Sequence, residues 1–190
     1  MLSIRLNVGF PLTRTPEVAY NMNPLRSREN SCCFTGHRPE KLPWDTNESD
    51  MRCVALKKRI LEAAEKLYQA GIRHFICGMA RGSDTYFCEA IIALRDKHPD
   101  ISLEAAIPFE NQAANWPIFD RARYDELVGK CSEATYVSRD FTRSCMHLRN
   151  RYMVDNASVL IAVFDGKRGG THNTVKYAQR SGLEIIVIIP

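Results

Sequence analysis

The sequence predicts an α/β fold, a doubly wound and mainly parallel sheet of about six strands with helices on both faces. Three observations carry that expectation. From Ser31 onward short apolar runs alternate with helical patterns, the mark of stacked β-α units. The runs are mostly apolar rather than strictly alternating, as expected of parallel strands covered on both sides. And 190 residues with 45% apolar content make one domain whose core needs no covalent staples.

The elements follow in order. Ser31–Thr35 reads as a first strand. Ser49 or Asp50 can cap a helix with an apolar face of Cys53, Leu56, Ile60, Ala64 and Leu67, closed by Gly71. His74–Cys77 is a second strand, and the turn Gly78–Asp84 opens a helix with Phe87, Ile91 and Leu94 on one face and Pro99 beyond its end. Leu103–Ile107 is a third strand, stopped by Pro108. Helical periodicity returns over Ile118–Val128, and Ala134–Val137 reads as a fourth strand. A helix over Ser144–Asn156 leads to the strongest strand signal, Ser158–Phe164. After Asp165–Gly170 a last helix, Thr171–Arg180, is closed by Gly182 and feeds the strand Ile185–Ile189.

Residues 1–30 stand apart from the domain at 31–190. They hold Pro11, Pro16 and Pro24, several asparagines and no sustained period. They read as an extension, partly ordered or adding an edge strand at Ile4–Val8.

Composition narrows the function. The longest apolar run, Val159–Phe164, is six residues, far short of a membrane-spanning helix, so no membrane partner is expected. The net charge of +4 permits anionic ligands without demanding a nucleic acid. Seven cysteines form no C-x-x-C pair, and no secretory signal is visible, so free thiols in a reducing cytoplasm are expected. Adjacent Cys32 and Cys33 face opposite ways on a strand, so one is expected in the core. Cys131, Cys145 and His147 match no common zinc-ligand spacing, and no metal is expected.

In a sheet of this class the loops leaving the carboxyl ends of the strands meet in one crevice at the switch point of strand order. Three of those loops are rich in glycine. In the first, Gly36, His37 and Arg38 precede Pro39: Gly36 permits a tight turn, and Arg38 offers a fork of donors suited to phosphate. The second is Gly78, Met79, Ala80, Arg81, Gly82, Ser83 and Asp84, where Ser83 or Asp84 can cap the following helix and Asp84 can fix the loop. It is neither the dinucleotide fingerprint nor a P-loop. The third holds Asp165, Gly166, Gly169, Gly170 and Thr171, with Thr171 as the expected cap. Each loop opens a helix whose free N–H groups and dipole favour an anion. Upstream, Arg149 and Arg151 point in different directions on a helix, so at most one faces the crevice. Phe109 and Trp116 are placed to stack on a base. No G-x-S-x-G elbow appears, and nothing marks Glu110, Asp120 or Asp125 as an acid–base couple, so no catalytic residue is assigned.

The ordered set T-G-H-R-P, C-G-M-A-R-G-S-D, A-I-P-F with a downstream Trp116, R-N-R-Y-M-V-D and G-G-T resembles the YpsA-like proteins of the SMF/DprA–LOG (SLOG) superfamily, over about Thr35 to Pro190. The resemblance implies a Rossmann-like domain binding a nucleotide or nucleotide-derived ligand, ADP-ribose- or NAD-like, with its phosphates on the glycine loops. It also implies a homodimer, since such proteins often pair through their helices. Two relatives mark the alternatives. LOG proteins support phosphoribohydrolase or N-glycosidase chemistry with a glutamate where this chain has Asn173, and an amide cannot exchange the proton that a carboxylate can. DprA proteins bind single-stranded DNA through a basic pocket. Here Gly78–Asp84 and Arg149–Arg151 match their motifs, but aromatic interleaving is sparse, with Tyr152, Phe141 and Trp116 as the stacking candidates.

Overall fold

A computed structural model describes residues 27–190. Six strands, β1 (Ser31–Thr35), β2 (His74–Cys77), β3 (Ser102–Ile107), β4 (Glu133–Tyr136), β5 (Val159–Val163) and β6 (Glu184–Ile188), form one sheet in the order β4-β3-β2-β1-β5-β6. Every pairing is parallel. Helices α1 (Met51–Gln69), α2 (Ser83–Lys97), α3 (Ile118–Lys130), α4 (Cys145–Asp155) and α5 (Gly170–Arg180) connect them. The sheet is therefore the doubly wound Rossmann-like one the alternating pattern predicts. Strand order reverses between β1 and β5, which puts the switch point there.

The central strands β1, β2 and β5 are buried along their whole length, because each face of the sheet carries its own apolar layer. One layer joins Phe34, Phe75, Leu103 and Ile161 to Leu56, Ile60, Phe87 and Ile91 of α1 and α2. The other joins Cys33, Ile76, Leu160 and Ala162 to Met153, Val154, Val175 and Ala178 of α4 and α5. The expectation that one of Cys32 and Cys33 enters the core is corrected by this arrangement. Both are fully buried, one in each layer. The edges differ from the centre: β4 and β6 are only partly covered, so burial on both faces holds for the middle of the sheet alone.

Helix α1 follows its apolar period, with Cys53, Leu56, Ile60, Ala64 and Leu67 all buried and Asp50 accepting the Arg52 N–H at 2.8 Å as its cap. Gly71 leaves it at φ +103°, a conformation that favours glycine. The proposed edge strand at Ile4–Val8 lies outside the described residues. The end of the expected extension does pack on the domain, for Arg28 donates to the carbonyls of Ala157 at 3.0 Å and Ser181 at 2.9 Å.

Candidate functional site

The three glycine loops leave β1, β2 and β5, which are neighbours in the sheet, so their carboxyl ends open into one place. Gly36, the Gly78–Asp84 turn and Gly170 are held there by direct bonds. The Ser83 backbone N–H and hydroxyl both donate to the His37 carbonyl, at 3.1 and 2.9 Å. Thr171 Oγ1 donates to the Gly36 carbonyl at 3.1 Å. His37 is buried, and its Nε2 lies 2.9 Å from Asp165 Oδ1, tying the first loop to the third across the switch point. The Lys167 ammonium beside Asp165, with its own N–H and His37 adding to the effect, holds that carboxyl well below the usual range.

These bonds correct the expected caps. Gly82, not Ser83 or Asp84, is the N-cap residue of α2, and no side chain caps the helix. Ser83 is spent on His37 instead, so the start of α2 is filled by a carbonyl from the first loop. Gly169, not Thr171, is the N-cap residue of α5, and it too has no side-chain cap. Thr171 bonds across the cleft to Gly36. Of the two helix starts, that of α5 keeps its first N–H groups for another partner.

The second loop is largely satisfied from within. Asp84 Oδ2 accepts the Ala80 N–H at 3.2 Å, Thr85 Oγ1 donates to the Ala80 carbonyl at 3.2 Å, and Gln112 Nε2 donates to the Met79 carbonyl at 2.7 Å. Arg149, buried on α4, donates through Nη1 to the Gly78 carbonyl. Gly78 has to be glycine for that approach, because a Cβ there would strike the guanidinium and come within 2.9 Å of Asp84 Oδ2. Burial pushes the Asp84 carboxyl up to about 6, opposed by Arg149, the Ala80 N–H and Arg38. Burial likewise lowers the Arg149 pKa, with Asp84 opposing, although a guanidinium stays charged throughout.

A cleft of about 220 Å³ lies over the switch point. Of the residues singled out from sequence, it brings together Gly36, His37, Arg38, Ala80, Asp84, Arg149, Gly170 and Thr171. It shares His37, Glu40, Lys41 and Thr171 with an adjoining hollow of about 640 Å³, which also takes in Asp165 and Gly169. The others sit elsewhere. Met79 is packed in the core, Gly78, Gly82 and Ser83 are buried within the loops, and Gly166 is exposed. Arg81 turns to the far side of its loop, where it pairs with Glu40 at 3.2 Å and Asp120 at 2.7 Å. Trp116 lines that side cavity with Arg81, and Phe109 packs edge-on against Phe141. Neither aromatic ring lines the cleft.

Sequence reasoning missed Lys41, whose ammonium stands 2.8 Å from where a Gly169 Cβ would be. It also missed Asn150, which accepts from Arg149 Nε at 2.8 Å and donates to Thr174 Oγ1 at 2.8 Å. Lys41 comes from a 3-10 turn, Pro39–Lys41, that carries no helical period to mark it. Asn150 follows Arg149 directly, and its neighbourhood was the only signal available.

Among the described residues one group has metal-ligand spacing, His74, Glu104 and Glu133, with ligand atoms within 4.8 Å of one another. It lies toward the amino ends of β2–β4, away from the cleft. There His74 Nε2 is 3.0 Å from Glu104 Oε2, and Tyr152 donates to Glu104 Oε1 at 2.7 Å, which ties α4 to the sheet.

An all-parallel sheet with this strand order and a cleft at its switch point defines a doubly wound, Rossmann-like domain. Within that class the chain belongs to the YspA SLOG family, whose model matches residues 32–188. It is 30% identical over 143 residues to the uncharacterized SPbeta prophage-derived protein YoqJ of Bacillus subtilis, covering 68% of this chain and 84% of that one. A UPF0398 protein of Oenococcus oeni is 25% identical over 139 residues, covering 72% and 73%. Among solved structures, DNA processing protein A (DprA) of Streptococcus pneumoniae superposes with a TM-score of 0.57 at 17% identity, covering 87% of this chain and 52% of that one. DprA of Helicobacter pylori, described for its single-stranded DNA binding mode, gives 0.56 at 16%, covering 86% and 66%. The chain thus spans about half of the first DprA and about two thirds of the second, and the likeness is one of fold.

Proposed function

We propose that the cleft binds a phosphate ester of a nucleotide-derived ligand of the ADP-ribose or NAD type, in a cytoplasmic binding or sensing role. The observation that carries this reading is the meeting of an uncapped α5 start with the buried Arg149 guanidinium. Free backbone N–H groups and the helix dipole favour an anion there. Arg149 Nε and Nη1 are taken by Asn150 and the Gly78 carbonyl, and Nη2 makes no hydrogen bond to a described residue, so its N–H groups are left for a phosphate oxygen. Arg38 and Lys41 add positive charge at the rim. The adjoining hollow of about 640 Å³ is within the usual size of small-molecule sites, roughly 300–1,000 Å³.

Binding is favoured over hydrolysis. Asn173 is exposed and lines the α4–α5 side of the domain rather than the cleft, so the position matching the LOG glutamate presents neither a carboxylate nor a path to the bound ester. Thermal unfolding with ADP-ribose, NAD, AMP and a cyclic dinucleotide tests the reading. A ligand at a hundred times its Kd adds about 2.7 kcal/mol of stability, a clear rise in Tm. No rise with any of the four at millimolar concentration refutes it, and release of free base during incubation establishes turnover instead.

A further inference from the structure

The parallel register assembles a group of side chains that no local spacing announces. It sets Glu104 of β3 beside Glu133 of β4, and His74 of β2 beside Ser102, two residues before Glu104. Side chains alternate across a sheet, so His74 shares a face with Ile76, and Glu104 with Ala106. Ile76 and Ala106 belong to the layer packed under α4 and α5. One ligand atom from each of His74, Glu104 and Glu133 lies within 4.8 Å of the other two.

The burial of this group is what asks for an explanation. His74 and Glu104 are each only 3% exposed. A carboxylate set in a strand beneath an apolar layer is costly unless it is paired or holds a metal. Among the described residues the one ion-pair partner of Glu104 is His74, with Nε2 and Oε2 3.0 Å apart. His74 Nδ1 is buried and makes no hydrogen bond to a described residue. A histidine kept inside a protein as a plain structural link ordinarily uses both ring nitrogens. Hydrogen bonding alone therefore accounts for half of this ring. Two carboxylates at the range of Glu104 and Glu133 repel each other, and a cation between them turns that repulsion into binding.

The geometry suits a small ion. Ligands of a tetrahedral zinc stand roughly 3.4 Å apart. The His74–Glu104 pair is already close to that spacing, and Glu133 closes the remainder by a side-chain rotation. The Tyr152 hydroxyl donates to Glu104 Oε1 at 2.7 Å, so it fixes the carboxylate with Oε2 turned toward the imidazole, as an outer partner does at metal sites. Glu133 is half-buried and begins the edge strand β4, which gives an ion a way in from solvent. One imidazole with two carboxylates fits a borderline divalent transition ion, whereas magnesium and calcium favour shells made of oxygen alone.

From this we infer that His74, Glu104 and Glu133 form a zinc-binding site, independent of what fills the cleft. Through Tyr152 the ion pins α4 to the sheet. That helix also carries Arg149, one turn before Tyr152, so the metal steadies the element that supplies the cleft with its guanidinium.

The test is titration of the chelator-stripped full chain with zinc, in competition with a chromophoric chelator, together with thermal unfolding. Cobalt(II) serves as a visible-absorption reporter of the same site. The wild-type chain is expected to take up one zinc and to melt at a higher temperature with it. His74→Gln keeps a donor for Glu104, and Glu133→Gln, at the half-buried position, keeps the fold if the first variant does not. Each is expected to bind zinc at least tenfold more weakly and to lose the cobalt absorption, while Tyr152→Phe should weaken binding about tenfold with the stoichiometry kept. The exposed His147, as His147→Gln, controls for zinc held at surface histidines and should behave as the wild type. Circular dichroism confirms folding throughout. The inference is overturned if the stripped wild-type chain takes up no zinc, which leaves His74 and Glu104 as a structural pair. It is equally overturned if both Gln variants, folded, bind as the wild type does, or if magnesium or calcium stabilises the chain at the same concentration as zinc. The thermal response to ADP-ribose is read separately on the stripped chain, so zinc uptake without it upholds the metal site and counts against the reading of the cleft alone.

Discussion

Asp84→Asn isolates the electrostatics of the cleft. The wild-type carboxyl is pushed from 3.8 up to about 6 by burial, with Arg149 opposing. An acid whose folded pKa lies above its unfolded one holds its proton more tightly in the fold. Stability therefore falls as pH rises through the window from about 4 to about 6, the reverse of a salt-bridged surface carboxylate. Two titration curves centred at 3.8 and about 6 differ by about 1.4 kcal/mol between about pH 5 and about pH 7.5, taking about 1.36 kcal/mol per pKa unit. Asparagine keeps the size of the side chain and the acceptor for the Ala80 N–H, but does not titrate. Removing the carboxylate leaves Arg149 without its counter-charge, which shifts the variant's stability at all pH values and leaves its slope alone. Urea denaturation of both chains at the two pH values gives the answer, since urea, unlike guanidinium, adds no screening salt. Groups that titrate alike in both chains cancel in the difference. The wild type should lose about 1.4 kcal/mol more than the variant on going to the higher pH; parallel profiles refute the burial argument.

Three further outcomes follow from the same geometry. ADP-ribose, whose diphosphate does not change charge in this range, should bind more tightly below about pH 6 than above it, and calorimetry should find that dependence flattened in Asp84→Asn, because a neutral Asp84 does not repel the bound anion. Arg149→Met removes the buried donor to the Gly78 carbonyl and should cost about 1–3 kcal/mol in denaturation, with the thermal response to ADP-ribose lost. Gly36→Ala puts a methyl group 2.5 Å from Ser83 Cβ and 3.0 Å from the Phe34 ring, and such overpacking should cost about 1–3 kcal/mol by the same assay.

Much of the fold was legible because its signals are local. The central strands are mostly apolar runs, and α1 announces itself by Cys53, Leu56, Ile60, Ala64 and Leu67 at helical spacing. The meeting of the three loops was legible too, since parallel topology alone places them together. What each loop does there was not. The start of α2 is occupied by the His37 carbonyl, 46 residues away in the chain, and no cap motif near Ser83 could report that. Arg81 carries the same side chain as Arg38, yet its direction is set by Glu40 and Asp120 from other elements. The helical period did separate Arg149 from Arg151: the first is buried over Gly78, and the second is exposed.

The plugging of α2 by His37 makes the two sides of the cleft unlike. Ser83 grips the His37 backbone twice, and Gly82 lies so close to His37 and Pro39 that a Cβ would come within 2.9 Å of both. The first two loops are thereby joined into one block. The segment from Asp165 to Gly170 hangs from that block by side chains, His37 to Asp165 and Thr171 to Gly36, with Lys41 reaching over it like a latch. A bulky guest therefore meets unlike walls: one joined through a backbone carbonyl on the β1–β2 side, and one joined through side chains on the β5 side.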